Sequence, residues 1–154
     1  MNPYLLKSLE FGPIVLERIV GQIPQSRFDE RTSNDRFTLR EAVAHLVDFE
    51  PIFRGRMEQA NSNPGCAVIV MDEGQMAIDH DYASQDVHRN LEMFVSQRAS
   101  TAAFLRTLSP SDFQKTMVHP QLGPLAIEDV ANLLLGHDLY HLEHASELMR
   151  STNA

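Results

Sequence analysis

The stretch GHDLYHLEHASEL, residues 136–148, carries His137, His141 and His144 at spacings i, i+4 and i+7. On an α-helix that spacing stacks three imidazoles on one face. Val130, Leu133, Leu134, Ala145 and Leu148 fall on the same stripe, so the histidines interrupt an apolar face and do not decorate a solvent-facing one. Burying an unpaired imidazole costs on the order of a few kcal/mol, so each ring needs a partner. That partner is either a neighbouring side chain or water, as for an ordinary core histidine, or a metal ion. A pair at i, i+4 is only half a metal site, and a third ligand must come from another element. His45 is the candidate, beside Phe49 and Ile52 at the flank of another apolar stripe. Three neutral histidines would leave a divalent ion its full charge and an open position. Such a centre acidifies a bound water or thiol and polarises a carbonyl. Zinc, nickel, iron and manganese all suit that ligand set.

Two other metal motifs fail. HDLYH fits the metalloprotease pattern H-E-x-x-H only with Asp138 in place of glutamate, and the extended-motif position 147 is Glu. A ferritin-like pair of metals needs several E-x-x-H motifs on facing helices, and only the Asp138–His141 spacing comes close. His80 and His88, in or just after a long connection, read as surface histidines. His119, in HPQLG, could reach the end of a bundle but is a weak candidate ligand.

Four helical segments are expected to position these residues. The first covers roughly residues 3–22, with Gly12-Pro13 predicting a bend or a late start. The second opens at TLRE, with Thr38 as cap and Glu41 completing a capping box, and fades near Asn61. The third runs from about Gln85 to Leu108 along Val87, Leu91, Phe94, Val95 and Leu105. The fourth starts after Gly123-Pro124 and reaches about Arg150. SPSDF, 109–113, reads as a short helical turn capped by Ser109. The connection of roughly 24 residues between the second and third segments is too long for a hairpin. It suggests a crossover joining parallel helices. No repeat and no alternating strand pattern is evident. The expected fold is all-α, a single four-helix bundle.

The chain has 154 residues, a formal net charge of −8 and one cysteine, Cys66. That excludes a disulfide framework and a cysteine-rich zinc site, and fits a reducing cytoplasm. The acidic balance argues against nucleic acid or an anionic membrane as partner. AVIVM, 67–71, is far too short to cross a bilayer, and Lys7, Glu10 and Glu17 interrupt any signal-peptide core.

In this order and spacing, FTLREAVAHLVDFEPIFRGRM, DYASQDVHRNLEMFVSQRASTAAFLRTL and HPQLGPLAIEDVANLLLGHDLYHLEHASEL resemble the DinB-like, or YfiT-like, metalloenzyme family over nearly the whole chain. The resemblance implies an up-down-down-up bundle with a three-histidine metal centre made by His45, His137 and His141. It also implies a small-molecule substrate, by way of relatives that use low-molecular-weight thiols. Three positions depart from the family pattern: Phe37-Thr38 replaces a tryptophan-serine or tryptophan-threonine pair, Ala126 replaces a helix cap, and His144 stands where glutamine is frequent. His144 could be a fourth ligand, a donor behind the ligands or a general base; a non-ligand pocket residue is favoured. Tyr140, one turn from His137, could donate a proton or orient a substrate, or could be a core tyrosine bonded across the helices. His144 and Tyr140 are the candidate catalytic residues. Arg98, on the apolar stripe of the third segment, needs a counter-ion, and Glu50 is the expected partner.

The leading expectation is a metal-dependent enzyme, a thiol-dependent transferase or a hydrolase. The alternative is a non-catalytic metal-binding or dimerising stress-response module. A homodimer could form through apolar side chains left on the first and third segments.

Overall fold

The computed structural model describes residues 2–150. These form five α-helices, α1 (Leu5–Val20), α2 (Leu39–Ser62), α3 (Glu73–Asp79), α4 (Val87–Thr107) and α5 (Ile127–Arg150), with one short strand after α2 and two between α4 and α5. The strands are β1 (Cys66–Ala67), β2 (Thr116–His119) and β3 (Gly123–Ala126).

Local chemistry sets the helix ends. Thr38 Oγ1 accepts from the Glu41 N–H while the Glu41 carboxylate accepts from the Thr38 N–H, the expected capping box. Asp86 caps α4 by accepting from the Arg89 N–H. At the start of α5 the missing cap at Ala126 is offset from inside the helix, where Asp129 accepts the Ala126 N–H at 2.8 Å. Ser109 and Asp112 bond reciprocally around a 3-10 turn, as SPSDF predicts.

α1, α2, α4 and α5 form the bundle. Arg98 of α4 reaches Glu50 midway along α2, while Leu105 shares an apolar cluster with Met57 and Ala60, so α2 and α4 run parallel. His45 faces His141 and Phe53 faces His137, so α5 runs antiparallel to α2. Leu5 packs near Ile127, and Leu16 and Val20 near Ala145 and Leu148, making α1 and α5 parallel. The result is up-down-down-up, and the crossover between α2 and α4 contains α3.

The sequence showed no strand pattern, yet β1, β2 and β3 form a three-stranded sheet in that order, parallel then antiparallel. The strands are only two to four residues long, and Pro124 breaks any alternation. They are held by the Gly123 turn (φ 75°) and by packing on the bundle.

Two apolar clusters fill the bundle, one around Leu39, Leu46, Val87 and Phe94, the other around Leu9, Met57, Leu105 and Leu134. Val95 and Leu133, assigned to core stripes from their spacing, are instead 45% and 43% exposed. Between the clusters lies a polar belt containing His45, Glu50, Arg98, Asp138 and His141, all buried.

Pro13 lies inside α1, which starts at Leu5 and continues through it to Val20, so of the two expectations, a bend or a late start, the late start does not occur. Proline cannot donate to the carbonyl four residues back. That carbonyl, of Leu9, is taken by Arg98 Nη1 at 2.7 Å. Gly12 makes room for the same contact: a Cβ there would lie 2.6 Å from Asp138 Oδ2 and 3.3 Å from Arg98 Nη1. The Gly-Pro step is a notch for a buried cation.

Candidate metal centre

His45 comes from the second turn of α2, and His137 and His141 from consecutive turns of α5. Each of the three rings offers one nitrogen to a group lying within 4.8 Å of one another, among the described residues. The Nε2 atoms of His45 and His137 are 2.8 Å apart. The ring centroids of His141 lie 4.9 Å from His45 and 4.7 Å from His137. Phe49, centred 4.3 Å from the His45 ring, Phe37 at 5.3 Å, and Phe53, 5.5 Å from His137, hold the rings by packing. The apolar walls also act on charge. Burial, reinforced by the other histidines, pushes the pKa of His45 to about 3 and that of His141 to about 2. Burial and the nearby Arg98 cation push His137 to about 4, against the charge of Glu50. All three rings are neutral near pH 7 and carry lone pairs.

The residues fit a divalent ion. The donor set is three neutral imidazoles, and Nδ1 of each ring is buried with no hydrogen-bond partner among the described residues. A ligating histidine usually donates its second N–H to a carbonyl or carboxylate behind it. Here aromatic packing stands in that place.

His144 is not in the convergent group. It is buried, its Nε2 has no partner, and it lines a cavity of about 350 Å³ together with Arg36, Glu73, Tyr140, His137 and His141. Burial, and then the charge of Arg36, lower its pKa against the pull of Glu147 and Glu143. Tyr140 is not a core tyrosine: it is 55% exposed at the cavity rim, beneath the Arg36 guanidinium 5.7 Å from its ring centre. Arg36 is tied to α5 through Glu143 and Glu147.

Arg98 finds the expected Glu50, through Nε at 2.8 Å and Nη2 at 2.7 Å. The spacing of residues alone did not reveal its second carboxylate, Asp138, at 2.5 and 2.9 Å. Burial works to lower the Arg98 pKa, but the bonds and charges of Asp138 and Glu50 outweigh it and raise the pKa. Asp138, which makes the α5 stretch imitate a protease, is thus committed to an ion pair. His80 pairs with Asp48 at 2.5 Å and His88 bonds Gln25, both outside the cluster. Arg36 and Glu73, supplied by loop and crossover, were not foreseen as cavity residues, since neither lies in a patterned segment.

The chain belongs to the DinB superfamily, whose profile matches residues 9–145. Its relatives include proteins named "Putative metal-dependent hydrolase": one from Oceanobacillus iheyensis, 23% identical over 94% of this chain and 84% of its own length, and YfiT from Bacillus subtilis, 25% identical over 94% and 82%. The solved structure of Bacillus subtilis YfiT, described as having "an unusual four-helix bundle topology", superposes with a TM-score of 0.90 at 24% identity, covering 97% of this chain and 86% of that one. A Bacillus subtilis DinB-like protein, YjoA, matches the fold with a TM-score of 0.64 at 10% identity, over 97% and 92% of the two chains. Among the described residues no helix is long and apolar enough to cross a membrane.

Proposed function

We propose that this protein is a metal-dependent hydrolase of a small molecule, with one divalent ion held by His45, His137 and His141. The observation that carries the reading is the convergence of three neutral imidazoles, two buried and His137 half-buried, with His137 and His141 lining an open cavity. The names of the relatives agree with it. A bound ion would supply Lewis acidity, polarising a substrate carbonyl and acidifying a water or thiol. The chain's own residues do the rest. His144, which lines the cavity with its Nε2 unpartnered among the described residues, would take the proton of the attacking water and return it to the leaving atom. Tyr140 and Arg36 at the rim orient the substrate by hydrogen bonding and charge. With His144 outside the ligand group, a bound ion would be left a position for substrate, which supports an enzyme over a closed, non-catalytic metal module.

A low-molecular-weight thiol in place of water would make the same site a transferase. One assay separates these: protein loaded in turn with zinc, nickel, iron and manganese is given ester, amide and electrophile panels with and without thiols. Hydrolysis without thiol, lost on chelation and in His144→Ala, is the expected result. Turnover only with thiol would assign the transferase, and neither activity in any metal form would leave the non-catalytic module.

The proposal includes a cytoplasmic homodimer. Phe11, Ile14 and Val15 of α1 and Met93 and Val95 of α4 are exposed apolar side chains available for an interface. Light scattering that returns a monomer mass would remove the dimer.

A further inference from the structure

His137 borders a second cavity, of about 260 Å³, which His144 does not line and to which the sheet contributes Met117, His119 and Leu125. Its character is opposite to the first. Phe53, Met117, Leu125 and Leu133 give it apolar walls, and no acidic residue lines it, in a chain whose net charge is −8. Besides His137 its polar contributors are Arg56 and His119, both donors. Arg56 bonds only the Ile69 carbonyl, at 3.0 Å through Nη2, and makes no ion pair among the described residues. Its remaining N–H groups therefore lack a carboxylate. Burial depresses its pKa despite the charge of Glu73, as expected of a partly desolvated cation without a close anion. The His119 ring accepts the backbone N–H groups of Gln121 and Leu122 on Nδ1, each at 3.2 Å, which leaves Nε2 as the ring's donor. The polar cavity across His137, by contrast, is lined by Asp35 and Glu73.

We infer that this second cavity binds the apolar, carboxylate-bearing part of the substrate, with Arg56 and His119 holding the carboxylate and the walls holding a ring or branched chain. The inference deepens the hydrolase reading and rests on it for the role of substrate. A cavity of about 150 Å³ is enough for benzene, so this one has room for a ring and a carboxylate. The asymmetry also sets the direction of binding. The anionic apolar end lies on the His119 side of His137, and the scissile group and polar leaving group lie on the His144 side.

The test uses the full chain stripped of metal by a chelator, so that no carboxylate can bind an ion, and titrates phenylacetate, phenylacetamide and acetate by calorimetry. Phenylacetate should bind at least about tenfold more tightly than either of the others. Arg56→Gln should erase its advantage over phenylacetamide, and Leu133→Trp, at a half-exposed position, should fill the cavity and abolish both. Thermal melts confirm that each variant is folded. Equal binding of phenylacetate and phenylacetamide, a preference that survives Arg56→Gln, or no binding of phenylacetate would each overturn the inference. Metal content, measured separately, keeps the two readings apart. Pocket binding in a protein that takes up no metal would defeat the metal centre alone, and a metal-binding protein blind to phenylacetate would defeat the pocket alone.

Discussion

Consecutive residues of α5, His137 and Asp138, belong to two buried polar groups that are finished in opposite ways. Around Asp138 every demand is met. The Arg98 guanidinium has five N–H donors, and five bonds take them: two from Glu50, two from Asp138 and one from the Leu9 carbonyl that Pro13 leaves free. Around His137 demands stay open. Three imidazoles share one short contact, and their Nδ1 atoms have no partner. A satisfied network fixes the bundle; an unsatisfied one stores binding capacity for something outside the chain. The first group clamps α1, α2, α4 and α5 at mid-height, which holds His137 against His45. The structural group positions the functional one.

The strongest way to break this comparison is to unbalance the satisfied side. Arg98→Met should strand two buried carboxylates and cost about 3–5 kcal/mol in urea unfolding. A loss below about 1 kcal/mol would mean that the network is not holding the bundle. A gentler cut is Gly12→Ala, whose methyl must displace Asp138 or Arg98 from a packed position, at about 1–3 kcal/mol. An unchanged melting temperature would show that the notch has slack.

These two residues also mark where the sequence stopped being legible. The capping box at Thr38, the apolar stripes and the crossover could be read because each follows from local pattern and helix period. Arg98 announced a need for a counter-ion by standing on an apolar stripe, and Glu50 answered it. Gly12-Pro13 pointed to a bend or a late start because local propensity takes no account of an arginine, 89 positions from Leu9, that uses the freed carbonyl. Asp138 resembled a motif residue for the same reason, since its partner lies on another helix. The sheet was invisible because strands this short are set by what packs on them. His137 and His141 could be paired from spacing and His45 joined to them as a candidate beside an apolar stripe and through the family resemblance, but the cavities on either side of His137 depend on Arg36, Glu73, Arg56 and His119, which no apolar stripe marks.

The unsatisfied side answers to pH. In metal-free protein the histidine pKa values drop from 6.5 when unfolded to about 3, 4 and 2 for His45, His137 and His141. The unfolded chain therefore takes up protons that the folded one refuses. Stability is full above about pH 6.5 and falls as the pH drops toward 4, by up to about 1.4 kcal/mol per pH unit for each ring. Urea midpoints from pH 7.5 to 4.5 measure it, and a flat profile would contradict the buried neutral rings. The smallest effect is the most discriminating. His141→Leu removes an unsatisfied buried ring, so metal-free stability should stay within about 1 kcal/mol of wild type or rise. A loss as large as that of Arg98→Met would place His141 with the structural group.

Cobalt titration of chelator-treated protein, followed by visible absorption, tests the central claim most directly. One equivalent per chain should bring up ligand-field bands, and His45→Ala, His137→Ala and His141→Leu should each abolish them, while His144→Ala leaves the stoichiometry at one. Bands of equal intensity in the three ligand variants, or no bands in the wild type, would contradict it.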